Sequence, residues 1–262
     1  MIGAALDNRV LADRLDAAAR TRAPVPPLTD SYALDLTRAY AVQAQLVARR
    51  LERGERIVGL KMGFTSQAMR RQMAVDRPNC GWLTDAMAAP AGSTIELTAF
   101  IHPRVEPEVA LLLGRDLVWP AGKDDVEAAV DACAPALEVV DSRFHAYRFR
   151  LEDNTADNSS AAAFVVGEWR PWPVGLGRLS VRLLMNGAAV EEGATDAVLG
   201  HPLNSLREAA RLATELGRPL RKGMIVLTGG VTSAHPLEDA EQVRAEMDAL
   251  GSVVAYVNKA GR

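Results

Sequence analysis

The sequence predicts an α+β protein with a β-rich body. Short aliphatic and β-branched runs, bounded by glycine, proline and asparagine, recur from residue 57 to the C-terminus. Two successive helical stripes fill only the first 55 residues. Strands and helices do not alternate regularly, which argues against a doubly wound parallel sheet. The expected layout is an N-terminal helical layer over 1–55 and a β-rich catalytic domain over 56–262, with the two able to form one continuous domain.

Residues 4–20 read as an amphipathic helix with Leu6, Val10, Leu11 and Leu15 on one face. Pro24, Pro26 and Pro27 mark a connection. A second helix over 35–53 carries the stripe Leu36, Tyr40, Val47 and Leu51 and stops at Gly54. Ile57–Gly63 is an extended run with Lys61 inside it, where a charge is costly without a partner. Thr65 or Ser66 can cap a short helix through Met73, and Val75–Trp82 reads as a loop. A short helix and loop beside a site make a candidate lid. Strands are expected over 94–100, 104–114, 135–140 and 161–167, with a short helix over 124–132. Residues 143–160 read as a long irregular connection, and such loops tend to be functional. Asn186-Gly187 between two apolar runs predicts a type I′ hairpin. Ser205 to Glu208 has capping-box spacing and opens a helix that ends at Gly217. Met224–Leu227 is a short strand running into Gly229-Gly230, and the last strands lie near 242–247 and 252–257.

Composition narrows the function classes. The 262 residues are 48% hydrophobic, enough for a sizeable core. The net charge of −3 and the lack of any basic run leave no electrostatic footprint for nucleic acid. No apolar stretch approaches membrane-spanning length, and the charged N-terminal segment Leu6-Asp7-Asn8-Arg9 lacks a signal-peptide core. Cys80 and Cys133 lack metal spacing and read as reduced thiols of a cytoplasmic protein.

The chemistry concentrates in the run from His102 to Gly114. Glu106 and Glu108 stand two residues apart in a strand pattern, so both carboxylates point to one face. Like charges held that close need a proton or a cation between them. A hard divalent cation with oxygen ligands answers that need, and Glu138, in the apolar run Leu137–Val140, is a candidate third acid. Two ordinary acids on a solvated strand face would have the same spacing. His102, His145, His201 and His235 are scattered and form no zinc pattern. Arg104 is expected to pair with a surface acid, and Arg143 either pairs or orients an anion. No Gly-x-Ser-x-Gly nucleophile elbow occurs.

Gly59–Ser66, Gln72–Val75 with Pro78, Gly81–Asp85, Leu137–Arg143, Ala156–Ser160 and Thr228–Thr232, together with the carboxylate strand, follow one another in a specific order. That order resembles the 2-keto-4-pentenoate hydratase and 4-oxalocrotonate decarboxylase group of the fumarylacetoacetate hydrolase superfamily. The resemblance covers nearly the whole chain from the second helix onward. It implies a twisted β-sheet roll with helices packed outside and a Mg2+ or Mn2+ site. It implies Glu106, Glu108 and Glu138 as metal ligands, Lys61 and the lid-associated Asp85 as catalytic residues, and Ser160 and Thr228 as substrate-binding residues, with Ser159 close enough to exchange roles with Ser160. Lys61 beside a cation would have a depressed pKa and could act as acid or base.

The run His102–Glu108 looks more like the decarboxylase branch, since hydratases more often have alanine where Pro107 stands. Phe64, Ala74 and Cys80 beside Trp82 depart from the usual pattern around the lid and bear on substrate identity. The expected activity is metal-dependent decarboxylation of an unsaturated 2-oxo dicarboxylate, of the 2-oxo-3-hexenedioate type, through a metal-stabilised dienolate. The alternatives are hydration of 2-hydroxypenta-2,4-dienoate and a non-catalytic partner role. A carbon–carbon bond hydrolase would want a histidine near the lid, and residues 61–85 contain none. The resemblance also implies a homo-oligomer and a complex with a sister hydratase or decarboxylase.

Overall fold

The computed structural model describes residues 7–67, 70–71, 75–173 and 175–260. Helix α1 (Asn8–Thr21) is capped by Asp7, whose carboxylate accepts from the Arg9 amide at 3.0 Å. Helix α2 (Leu36–Glu52) is capped by Asp35 in the same way, at 2.7 Å from the Arg38 amide. Leu11 and Leu15 of α1 pack on Ala39, Val42 and Leu46 of α2. Each fully buried leucine contributes roughly 1.5–3 kcal/mol. The same cluster takes in Phe144 and Ala156, so the helical layer is fastened to the segment that follows the central strands.

Thirteen strands among the described residues form two mixed sheets. In chain order the elements are β1 (Ile57–Gly63), β2 (Asn79–Thr84), β3 (Ala88–Ala89), β4 (Thr94–Glu96), β5 (Arg104–Leu113), α3 (Lys123–Ala129), β6 (Val130–Val140), α4 (Leu151–Ala156), β7 (Ala161–Val166), β8 (Ser180–Met185), β9 (Ala188–Ala194), α5 (Pro202–Glu215), β10 (Ile225–Leu227), β11 (His235–Pro236), β12 (Gln242–Met247) and β13 (Gly251–Asn258). The larger sheet runs β2-β1-β10-β5-β6-β7-β3, with β11 added on β5; the smaller runs β4-β13-β12-β8-β9. Alternation along β5 decides what faces what. Val109, Leu111 and Leu113 enter the core beneath α5, with Leu206, Ala210 and Ala213. Val105 packs with Leu137, Val139 and residues of the second sheet such as Val243 and Val253. The even positions, Arg104, Glu106 and Glu108, are left for the opposite face.

Several elements depart from the sequence reading. Asn79–Thr84, with its first four residues expected in a loop, is a strand whose six residues are all buried, so it has no polar–apolar alternation to reveal it. It pairs antiparallel with β1, from Gly63 opposite Asn79 to Ile57 opposite Thr84. The stretch 143–160 contains α4 and two 3-10 turns. Helix α5 opens at Pro202, with the His201 ring capping the Leu203 amide; Ser205 instead donates to the Thr228 carbonyl at 2.7 Å. The strand expected over 94–100 ends at Glu96 and gives way to a 3-10 turn. The hairpin at Asn186-Gly187 forms with both residues at positive φ, 52° and 83°, as a type I′ turn needs. The short helix expected through Met73 lies partly outside the described residues.

Candidate active site

Glu106 and Glu138 are direct cross-strand partners on β5 and β6, and Glu108 sits one pleat further along β5 opposite Ala136. One ligand atom from each lies within 4.8 Å of the others. Glu108 and Glu138 have no exposed surface. Like charges directly opposite one another destabilise a strand pair, and burial multiplies the cost. Glu108 Oε2 accepts from the Gly229 amide at 2.6 Å, but Glu108 Oε1 and Glu138 Oε1 are buried with no hydrogen-bond partner.

Beside this group lies Lys61, buried on β1 at 3% exposure. Its Nζ donates to the Ser159 carbonyl at 3.0 Å and lies 3.4 Å from Ser159 Oγ. Glu138 Oε2 is 3.1 Å away, close enough for an ion pair though poorly aligned for a hydrogen bond. Burial works to lower the lysine pKa, but Glu138, Glu106 and Glu108 outweigh it and raise it. In the protein alone the direction is therefore opposite to the depression expected beside a cation. Burial and the neighbouring Glu138 push Glu106 up to about 7. The same causes, with Glu106 added, push Glu108 well above its ordinary value.

Three residues with positive φ, Asn158, Ser159 and Ser160 at 53°, 53° and 58°, seat the lysine. Non-glycine residues in this region are uncommon and need outside support. Asn158 supplies it by bridging β2: its Oδ1 accepts from the Trp82 amide at 2.7 Å and its Nδ2 donates to the Trp82 carbonyl at 2.9 Å. Gly81 makes room for this turn, because a Cβ there would come within 2.9 Å of the Asn158 carbonyl carbon. Ser159 Oγ donates to Asn79 Oδ1 at 3.0 Å, and Asn79 Nδ2 donates to Asn154 Oδ1 and Thr155 Oγ1 at 2.8 and 2.9 Å. Ser160 Oγ accepts from Asn154 Nδ2 at 3.0 Å.

A cavity of about 200 Å³ opens beside these groups. Lys61, Arg104, Glu106, Asn154, Ser159 and Ser160 supply polar wall; Met62, Phe64, Val140, Tyr147 and Phe149 supply apolar and aromatic wall. Thr65 also lines it, with its buried Oγ1 lacking a hydrogen-bond partner.

Of the residues singled out in the sequence, Lys61, Glu106, Glu108, Glu138 and Ser160 come together here. Asp85 and Thr228 do not. Asp85 follows the far end of β2, where its carboxylate accepts from the Arg56 amide and pairs with the Arg56 guanidinium, both at 2.9 Å. Asp85 lies six residues beyond Asn79, roughly 20 Å at the strand rise. Those hydrogen bonds hold its pKa below the ordinary value. Thr228 is fully buried, and its hydroxyl donates to the Val109 carbonyl at 3.0 Å, which fixes β10 to β5.

Arg143 is spent on structure: its guanidinium forks onto Asp157 and donates to the Asp141 carbonyl at 2.6 Å. Burial pushes Asp157 up to about 6, against the opposing pull of Arg143. Arg104, expected to pair with an acid, instead lies over the Tyr147 ring at 4.4 Å from its centroid. His102 is structural, with its Nε2 2.8 Å from the Ser142 carbonyl oxygen. Sequence reasoning missed Asn79, Asn154 and Tyr147, since buried amides and a loop tyrosine have no periodic signature.

The residues present fit a hard divalent cation. Three carboxylates converge, three of their oxygens are buried with no hydrogen-bond partner, and the backbone narrows at Gly230, where a Cβ would stand 2.8 Å from Glu106 Cδ.

The family model for the fumarylacetoacetate hydrolase C-terminal region matches residues 30–258. The chain belongs to the fumarylacetoacetate hydrolase family. It is 42% identical over 243 residues to a 4-oxalocrotonate decarboxylase of a Pseudomonas species, covering 93% of this chain and 95% of that one. It is 35% identical over 246 residues to a 2-keto-4-pentenoate hydratase of Paraburkholderia xenovorans, covering 92% and 91%. Among solved structures, the 4-oxalocrotonate decarboxylase of Pseudomonas putida G7, complexed with magnesium and adipate, matches with a TM-score of 0.92 at 35% identity, covering 96% and 97%. The α+β fold read from the sequence is therefore that of the fumarylacetoacetate hydrolase family. No helix among the described residues is long and apolar enough to cross a membrane.

Proposed function

We propose that this protein is a divalent-metal-dependent decarboxylase of an unsaturated 2-oxo dicarboxylate of the 2-oxo-3-hexenedioate type. The observation that carries the reading is the Glu106–Glu108–Glu138 cluster with Lys61, at the wall of a small cavity, in a chain similar to a decarboxylase over 93% of its length. Glu106, Glu108 and Glu138 would hold Mg2+ or Mn2+. When bound, such an ion supplies Lewis acidity that polarises a 2-oxo group and offsets the charge developing on its oxygen.

The chain's own residues do the rest. Ser160 Oγ accepts its hydrogen bond from Asn154, which leaves its own proton to donate to a substrate oxygen. Thr65 Oγ1 offers a second such contact. Lys61 Nζ holds a proton inside the cavity. The carbon–carbon bond to the departing carboxylate breaks, CO2 leaves, and the electron pair passes through the alkene to the 2-oxygen, to which Lys61 can deliver that proton. Met62, Phe64, Val140 and Phe149 exclude water from the departing group, and a poorly solvated carboxylate leaves more easily.

Hydration is the second reading, since hydratases are also similar to this chain. It needs a base that positions water. Asp85, the acid expected to do this, is tied to Arg56, and Glu106 is the only carboxylate on the cavity wall among the described residues. That favours decarboxylation. A homo-oligomer, and a complex with a sister hydratase, belong to the same reading.

The test is incubation with 2-oxo-3-hexenedioate and with 2-hydroxypenta-2,4-dienoate, in Mg2+ or Mn2+ and in EDTA, with products followed by mass spectrometry. Metal-dependent loss of CO2 from the first is expected. Metal-dependent gain of water by the second alone would move the assignment to hydratase.

A further inference from the structure

We infer that Arg104 is the residue that selects a dicarboxylate, by binding the far carboxylate of the substrate. This rests on the decarboxylase reading only for the identity of that substrate. Arg104 stands two residues before Glu106 on β5 and therefore on the same face, opposite Val140 on β6. The offset along the strand is about 6.7 Å. Five carbon–carbon bonds of about 1.5 Å, in a zigzag, carry the two carboxyl carbons of a six-carbon diacid about 6 Å apart. A molecule of that length, with its 2-oxo acid end at the acidic cluster, brings its other end to Arg104.

The guanidinium is prepared for this contact. It lies over the Tyr147 ring, which covers one side of it. Among the described residues, no carboxylate or carbonyl accepts a hydrogen bond from it. The platform beneath it is fixed. The Tyr147 hydroxyl donates to the Val140 carbonyl at 2.9 Å and lies 3.3 Å from the His102 carbonyl oxygen, and the His102 ring packs 4.8 Å away. Ala146 and Tyr147 both take positive φ, 51° and 57°, to bring the ring there. A strained aromatic held under an unpaired arginine on a cavity wall is a prepared anion seat.

The chemistry sets a limit on what this contact can do. A guanidinium that holds the departing carboxylate favours the bound substrate more than the transition state, in which that charge is leaving. Arg104 is therefore a specificity-determining residue whose effect falls on KM.

The experiment compares adipate with hexanoate, binding each to the Mg2+-loaded wild type, Arg104→Met and Arg104→Lys by calorimetry. Melting temperature and Mg2+ affinity report whether the variants fold. The wild type should prefer adipate by about tenfold or more. Arg104→Met should bind the two ligands alike, and Arg104→Lys should keep part of the preference. With 2-oxo-3-hexenedioate, Arg104→Met should raise KM by at least about tenfold with kcat unchanged or higher, so that kcat/KM falls by no more than KM rises. An unchanged adipate preference in Arg104→Met overturns the proposal, as does a wild type with no preference. Loss of preference in Arg104→Met, from a wild type that releases no CO2, upholds the anion seat and rejects the decarboxylase reading.

Discussion

Replacing Lys61 with methionine keeps most of the side chain's length and removes its charge. At the 3.1 Å separation from Glu138 Oε2, the attraction is about 5 kcal/mol at an effective dielectric of 20. Part of that is already spent on desolvating a side chain with 3% exposure. Removing one partner of a buried pair typically costs about 3–5 kcal/mol. Here the loss also strips the Ser159 carbonyl of its donor and leaves three clustered acids, two of them fully buried, without the lysine charge. Proton uptake by Glu106 and Glu108, whose pKa values are already raised, limits the damage at low pH. In EDTA at pH 8 the variant should therefore lose about 3 kcal/mol, or roughly 6–12 °C in melting temperature for a chain of this size. At pH 6, or with Mg2+ present, the loss should be visibly smaller, because protons or the ion replace the missing charge. The assay is thermal unfolding of wild type and Lys61→Met in those conditions. An equal drop in all of them would falsify the electrostatic argument and leave Lys61 as a packing residue. Decarboxylation by the variant should fall by about 100-fold or more with Mg2+ saturating, since general acid catalysis is worth that much.

Three further outcomes are expected. Gly230→Ala sets a methyl group against the Glu106 carboxylate and should weaken Mg2+ binding by about 10–100-fold in calorimetry, with the melting temperature in EDTA little changed. Glu106 and Glu108 are acids with folded pKa values above the ordinary 4.5, so the metal-free fold binds more protons than the unfolded chain. The stability they contribute is full below about 4.5 and is lost as pH rises through about 7; the Glu106→Gln, Glu108→Gln variant should show a flatter pH dependence in EDTA, and an equal slope would refute the assignment. Arg143→Lys cannot reproduce the guanidinium fork on buried Asp157 and should cost about 2–4 kcal/mol in urea unfolding, with no ligand present.

What was legible in the sequence depended on whether a residue belonged to a repeating pattern. Glu106 and Glu108 showed through because strand alternation forces i and i+2 to one side, and the pairing of Glu106 with Glu138 completes what that spacing began. Helix α2 was readable from its apolar stripe and the Gly54 stop, and the Asn186-Gly187 hairpin from turn chemistry, all of them local signals. Strand β2 was hidden because it is buried throughout and contains Cys80, Gly81 and Trp82 in place of an alternating run. Helix α4 was hidden because six residues rich in Glu, Asp and Asn carry no apolar stripe; tertiary packing beneath α2 holds them helical. The resemblance placed Asp85 and Thr228 in the site, yet Arg56 and the Val109 carbonyl claim their side chains. Arg104 was misread for the opposite reason: surface arginines usually find acids, and nothing in the local sequence shows that Tyr147, 43 positions later, comes to lie beneath it.

The turn at Asn158–Ser160 has a bearing on how the molecule is made. Lys61 emerges from the ribosome 98 residues before the Ser159 carbonyl that receives it, and Glu108 emerges 121 residues before its Gly229 amide. A nascent chain ending at Glu138 already carries the three acids and the lysine, but has neither the seat for the lysine nor the donor for Glu108. Until residue 160 is available, these charges gain by staying in water, and the central strands have reason to remain apart. The chain from Asn158 onward thus acts as a delayed clasp, and a product truncated before Gly229 keeps every acid of the centre without the amide that receives Glu108.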